Sequence, residues 1–235
     1  MVRIILTRAA EAAGALESGL HEAGHEVLHL PLTQQVPVQD SGQLTTALAD
    51  LHAGRFSWLL LTSGNTVRFL SRAGWDGSLP EQTRIGVVGP GTARTLEHLT
   101  GLASPWRPRQ YSAAGILTEL PPPAAQDRVL LPQSARARPA LAEGLLERGW
   151  QVTQVSVYDT VPVECPDVGT LRCGDVVLVT SSSAAEVWAG LATPEVTVLA
   201  IGQPTAETLR RLSRPAAAVL PEPTAAGVLE VLSRP

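Results

Sequence analysis

The sequence predicts an α/β protein built as two similar domains, each a five-stranded parallel sheet of flavodoxin-like type. Three observations predict it. Short apolar runs end in Gly, Ser or Thr and alternate with helical periodicity, the pattern of strands buried on both faces by crossover helices. The chain also repeats itself: residues 4–38, "IILTRAAEAAGALESGLHEAGHEVLHLPLTQQVPV", lie without a gap over 129–163, "VLLPQSARARPALAEGLLERGWQVTQVSVYDTVPV", placing Gly24 on Gly149, Val27 on Val152 and Pro37 on Pro162. A second block repeats as well, with Thr62-Ser63 on Thr180-Ser181, "VVGPGTARTLEHL" on "AIGQPTAETLRRL" and "YSAAGILTEL" on "PTAAGVLEVL". The order is a–c–a′–c′, and each a with a c supplies the strands of one domain.

The first a block gives the strand "VRIILT", an amphipathic helix through "ALESGLHEAG" and the strand "EVLHLPL". The first c block gives the strand "WLLLTS", a helix from about Asn65 and the strand "IGVVG". A helix through "TARTLEHL", a short strand near Ser104–Trp106 and a helix through "AAGILTEL" follow. Blocks a′ and c′ repeat this series. Pattern alone leaves two pairings open: sequential domains, or a swap that joins a with c′ and c with a′. Both a blocks end in proline-containing extended stretches, "PLTQQVPV" and "VYDTVPVE". Proline suits linkers or edge strands, and two equivalent linkers suit the swap.

Composition narrows the chemistry. The chain has 235 residues, 44% of them hydrophobic, enough for one large domain or two small ones. A net charge of −4 offers no basic field for nucleic acid. No apolar run is long enough to span a membrane, and the N-terminus lacks the apolar core of a signal peptide, so a cytoplasmic protein is expected. The two cysteines, Cys165 and Cys173, fit no zinc or thioredoxin spacing and agree with a reducing compartment. All 18 cationic side chains are arginine. Without lysine there is no Walker A loop and no Schiff base, while arginine suits bidentate capture of carboxylates or phosphates. The histidines form no metal motif, no G-x-S-x-G elbow occurs, and "GPG" at Gly89–Gly91 is a turn rather than a dinucleotide fingerprint.

Candidate site residues gather where strands end. In open α/β sheets ligands sit beyond the carboxyl ends of the strands. Thr62, Ser63 and Asn65 close one strand, and Gly89, Gly91 and Thr92 the next. Ser181, Ser182 and Ser183 match the first set, Gly202 and Thr205 the second, and Ser112 and Thr224 stand before the last helices of the two c blocks. Helix N-termini carry free N–H groups and partial positive charge and can hold carboxylates without a cation. The same residue types are ordinary N-caps, so capping is the simpler role for each taken singly. Tyr158, in "VYDT" beside the second linker, could either donate a proton in a cleft or pack as a linker aromatic.

The ordered set of motifs resembles the uroporphyrinogen-III synthase family. The stretches are "ILTR" at Ile5–Arg8, "TSGNTVRF" at Thr62–Phe69, "VVGPGTARTL" at Val87–Leu96, "VYDTVP" at Val157–Pro162, "VTSSSAAEV" at Val179–Val187, "AIGQPTAETL" at Ala200–Leu209 and "PEPTAAGVLEVL" at Pro221–Leu232. The resemblance implies the swap, with a discontinuous terminal domain of 1–33 plus 166–235, a central domain of 41–154, and linkers over 34–40 and 155–165. It implies hydroxymethylbilane, a linear tetrapyrrole with eight carboxylates, as substrate and uroporphyrinogen III as product. Loss of water from the ring A hydroxymethyl group gives an azafulvene. Ring D attacks it at its substituted carbon, and a spiro intermediate fragments and recloses with ring D inverted. Tyr158 takes the family's proposed acid position, and holding the chain in the spiro geometry is a positioning effect.

The substrate contacts expected on this basis are Arg8, Thr62, Ser63, Asn65, Gly89, Thr92, Gln133, Ser134, Ser181, Ser182, Gly202, Thr205 and Thr224. No cofactor or metal, a monomer, and transient contact with hydroxymethylbilane synthase are expected. The sequence departs from the family at Ala9, where proline is common, at Gln203-Pro204 and at Gly91. The rival readings are a two-lobed small-anion-binding protein without catalysis and, less well matched in length, a glycosyltransferase.

Overall fold

The computed structural model describes residues 1–10, 14–39, 42–124 and 126–233. By its internal contacts the chain forms two compact units, one of Met1–Gln34 with Thr160–Pro235 and one of Gln35–Asp159. The first holds the strands β1 (Arg3–Leu6), β2 (Glu26–His29), β8 (Val176–Val179), β9 (Thr197–Ala200) and β10 (Ala218–Val219), in the sheet order β10-β9-β8-β1-β2. Numbered by their appearance in this unit, that is 2-1-3-4-5, the flavodoxin-like order. The second sheet runs β3-β7-β6-β4-β5, from β3 (Thr33–Pro37), β4 (Trp58–Leu61), β5 (Arg84–Val87), β6 (Arg128–Ser134) and β7 (Gln151–Pro162). Every strand pair with a described register is parallel. β1 pairs with β8, and β6 with β4.

The second sheet departs from the sequence expectation at one edge. The strand expected near Ser104–Trp106 is a single bridge, Gly86 to Trp106. Trp106 takes a hydrogen bond from Val87 N at 2.9 Å and gives one to Ile85 O at 3.0 Å. The ladder stops there because Ser104 lies in the left-handed region at φ 56° and Pro105 has no N–H to donate. The fifth strand is instead β3, from a stretch expected as linker, and the second expected linker lies largely within β7 or just after it.

Side-chain alternation builds a core on each face of each sheet. In the first unit Ile4, Leu6, Val176 and Leu178 pack with Leu16 and Leu20 of α1 (Gly14–Glu22) and Val228 of α9 (Ala225–Leu232). Their neighbours Ile5, Val177 and Val179 face the other way, onto Ala184, Ala185 and Trp188 of α7 (Ser182–Ala189) and Leu209 of α8 (Gln203–Arg211). In the second unit Leu59, Leu61 and Leu130 meet α2 (Gly42–His52), α3 (Gly64–Arg72) and α4 (Pro90–Thr100). Trp58, Leu60, Val129 and Leu131 meet α5 (Ala113–Glu119) and α6 (Ala140–Glu147).

The repeat is visible in single bonds. Val38 N–H donates to Val157 O at 3.5 Å, and Val163 N–H donates to Leu32 O at 3.0 Å. These four residues are equivalent in pairs under the 4–38 and 129–163 superposition. The "AAG" at the start of α5 and α9 has a shared cause: a Cβ on Gly115 would lie 2.0 Å from Gln110 O, and one on Gly227 2.2 Å from Glu222 O.

Candidate active site

The proposed site residues stand at the carboxyl ends of the strands of their own units. In the first unit these are Arg8 after β1, Ser181 and Ser182 after β8, Gly202 and Thr205 after β9, and Thr224 before α9. In the second they are Thr62, Ser63 and Asn65 after β4, Gly89 and Thr92 after β5, Gln133 and Ser134 ending β6, and Tyr158 near the end of β7.

Three of the hydroxyls are caps. Ser63, Ser181 and Thr224 have extended backbones and accept from the N–H of Thr66, Ala184 and Gly227 at 3.1, 3.0 and 3.2 Å. Ser182 donates to Pro204 O, and Asn65 accepts from Arg68. The mouths of α4 and α8 differ, since their N-caps, Gly89 and Gly202, supply no side-chain oxygen. Pro90 and Pro204 have no N–H and Thr205 N–H donates to Gly202 O at 3.1 Å, so the first-turn N–H groups left for an anion are those of Gly91 and Thr92 at α4 and Gln203 at α8. Thr92 and Thr205, the third residues of these helices, are both buried.

Tyr158 is placed by a register shift. From Arg128 to Gln133 the β6–β7 partners keep one offset, Gln133 facing Ser156, but Ser134 faces Tyr158. The extra residue is Val157, and an extra residue re-aims the side chains that follow it. Val155, Val157 and Tyr158 consequently all join the same core, although neighbours on a strand normally alternate. The Tyr158 ring stacks on Phe69 with centroids 5.0 Å apart and planes 16° from parallel. Its hydroxyl reaches to 3.4 Å from Ser63 Oγ, which also lies 3.0 Å from Thr66 Oγ1. The backbone is pinned by Ala135 N–H donating to Tyr158 O at 2.8 Å.

Around this tyrosine, Gln133 is buried and its Nε2 has no hydrogen-bond partner. Ser134 Oγ accepts from Arg136 N, and Arg136 Nε pairs with Asp159 Oδ1 at 3.0 Å. In the first unit burial draws the Arg8 guanidinium below its ordinary pKa, and the Arg8 carbonyl lies 3.1 Å from His29 Nδ1. Arg136, Phe69 and Thr7 also take part, although their residue types do not single them out. Thr7 bridges β1 and β8, donating to Leu178 O and accepting from Thr180 N at 3.0 Å. Among the described residues no group of His, Cys, Asp and Glu gathers to hold a metal ion.

Comparison with known proteins gives this geometry a family. The family described as Uroporphyrinogen-III synthase HemD matches residues 14–230. The chain belongs to the uroporphyrinogen-III synthase family. It is 30% identical over 198 residues to the chloroplastic uroporphyrinogen-III synthase of Oryza sativa subsp. japonica, covering 80% of this chain and 64% of that protein. It is 26% identical over 226 residues to the porphyrin biosynthesis protein HemD of Ruminiclostridium josui, covering 89% of this chain and 44% of that protein. The chain thus spans about half to two thirds of the length of these curated relatives. The crystal structure of uroporphyrinogen-III synthetase from Helicobacter pylori 26695 superposes with a TM-score of 0.66 at 18% identity, over 99% of this chain and 98% of that one. A mutant uroporphyrinogen III synthase from the extremely thermophilic bacterium Thermus thermophilus gives 0.58 at 21% identity, over 99% and 98% of the two chains. At these identities the structures establish the shared fold. No helix among the described residues is long and apolar enough to cross a membrane.

Proposed function

We propose that the chain is a uroporphyrinogen-III synthase, closing hydroxymethylbilane to uroporphyrinogen III with loss of water and inversion of ring D. The observation that carries this reading is the Tyr158 hydroxyl, held at a strand end against Ser63 in a member of this family. A phenol donates a proton or a hydrogen bond, and here it would assist departure of the hydroxymethyl oxygen, directly or through a water. Ser63 orients it. The uncapped mouths at Gly89 and Gly202, the Gln133 amide and Arg8 would take substrate carboxylates. Ser63, Ser181 and Thr224 act chiefly through the helices they cap, keeping those N-termini aimed past the strand ends.

The swapped domain reading belongs to the same proposal. The chain passes between its units near Gln34 and Asp159, and the paired bonds of Val38 and Val163 support matched linkers. The cytoplasm as compartment, the monomeric state and a transient handover from hydroxymethylbilane synthase complete it. Expression in a bacterium lacking its own uroporphyrinogen-III synthase tests the function. Growth without added haem supports the synthase. Persistent type I uroporphyrin despite abundant folded protein would leave a two-lobed anion-binding protein.

A further inference from the structure

The duplication made two similar sheets, so the places where the units differ are informative. The chain has two tyrosines, Tyr111 and Tyr158. Both belong to the second unit, Tyr158 within β7 and Tyr111 on the turn before α5, where the repeat gives the first unit Thr33 and Pro223. Tyr158 is buried, but Tyr111 is 60% exposed.

Tyr111 is exposed on a fixed turn. Glu119 accepts from Arg109 N at 2.9 and 3.0 Å and from Gln110 N at 3.4 Å, and Ser112 N–H closes onto Gln110 O at 2.7 Å. Gly115 lets α5 approach that same carbonyl. On its other side Tyr111 lies against Gly89, where an added Cβ would come 3.3 Å from Tyr111 Cβ and 3.5 Å from Cγ. A largely exposed aromatic on a pinned turn adds little to the core and presents a ready-ordered face to a ligand. Arg107 and Arg109 are exposed on either side of buried Pro108, the alternation of extended chain. Neither guanidinium has a hydrogen-bond or ion-pair partner among the described residues.

We propose that Tyr111, with Arg107 and Arg109, forms a subsite for one carboxylated pyrrole ring: the phenol stacks on the ring, and the guanidiniums take its two acid side chains. The inference rests on the synthase reading for the identity of the ligand. Tyr158 lies in the C-terminal half of β7 and Tyr111 stands beside Gly89, just past the end of β5, three strand spacings away in the order β7-β6-β4-β5. At about 4.8 Å per spacing that is about 14 Å. One pyrrole cannot touch both, whereas a linear tetrapyrrole can. The Tyr111 subsite therefore holds a ring other than the one that loses water, and it acts on binding and placement rather than on proton transfer.

The test is steady-state kinetics on hydroxymethylbilane generated in situ, with products resolved as type I and type III isomers. Tyr111→Ala raises KM about fivefold or more, with the loss chiefly in KM, and Tyr111→Phe restores it because stacking needs no hydroxyl. Arg109→Gln raises KM and flattens its dependence on salt. The outcomes separate the two ideas. Wild-type protein that forms no type III isomer defeats the synthase reading and this subsite with it. Wild-type protein that forms type III, alongside folded Tyr111→Ala and Arg109→Gln variants with unchanged KM and salt dependence, defeats the subsite alone.

Discussion

The Tyr158 hydroxyl lies 3.4 Å from Ser63 Oγ, although the two residues are 95 positions apart and belong to different repeats of the duplicated sequence. The register shift at Val157 makes the meeting possible, because without it Tyr158 would face the other side of the sheet. Tyr158→Phe keeps the ring over Phe69 and removes only the donor. Turnover should fall by about a hundredfold or more, as for loss of a general acid, with thermal unfolding unchanged. Full activity in the Phe variant would remove Tyr158 from the reaction.

Ser63 has two duties, and a substitution separates them. Ser63→Ala should cost about 1 kcal/mol through loss of the α3 cap and should also lower turnover. Ser63→Asp keeps a capping oxygen but changes the partner offered to the phenol. Urea titration of both variants, beside their kcat, shows whether activity follows the cap or the contact with Tyr158.

The repeated glycines of α5 and α9 predict equal effects in two places. A methyl group at Gly115 or Gly227 meets a backbone carbonyl oxygen at 2.0 or 2.2 Å. Backbone cannot swing aside as a side chain can, so Gly115→Ala and Gly227→Ala should each destabilise by more than about 2 kcal/mol. Denaturation midpoints near wild type would show that the turns before these helices relax.

Arg3 and Asp175 form the ion pair best shielded from water among those described, with Nη1 3.1 Å from Oδ1 and side chains 16% and 4% exposed. Asp175 also accepts from Arg172 N at 2.8 Å. Arg3→Met leaves that carboxylate without its cation and should destabilise by about 3–5 kcal/mol. Arg3→Met with Asp175→Leu should recover much of the loss, as measured by urea unfolding.

Asp127 gives the second unit a pH dependence. Its carboxylate accepts from Ser57 Oγ and, at 2.9 Å, from Ala124 N, and these bonds hold its pKa below the ordinary carboxylate range. A carboxylate depressed in the folded state stabilises fully above its unfolded pKa, about 3.9, and that contribution is lost as pH falls through the lower folded value. Ser57→Ala should therefore cost stability at pH 7 and flatten the decline below about pH 4. Parallel curves for the two proteins would contradict it.

Much of this was legible in the residues because duplication wrote it twice. The Thr-Ser pairs that end β4 and β8 and the hydroxyls before α5 and α9 appear in both halves, and short apolar runs mark strands buried on both faces. α2 is equally legible, since Leu44, Ala47, Leu48 and Leu51 follow helical spacing and are all buried, yet it lies outside the repeat and a reading led by the duplication misses it. The strand expected near Ser104–Trp106 reduces to one bridge, because a tryptophan beside proline does not show that one left-handed serine ends the ladder. The Tyr158–Ser63 contact was not legible: it depends on a one-residue register shift, which no periodicity records. Capping is the simpler reading of Ser63, Ser181 and Thr224 from residue type, and the structure agrees, whereas backbone geometry is needed to show that Gly89 and Gly202 are the N-caps of α4 and α8.

The central claim is ring inversion by this chain. Hydroxymethylbilane would be generated in situ with a chelator present, the protein added, and the products oxidised and resolved by chromatography. The account predicts mainly type III uroporphyrin, in a proportion that rises with protein concentration. Type I alone, formed at the rate seen without protein by a chain shown to be folded, would contradict it.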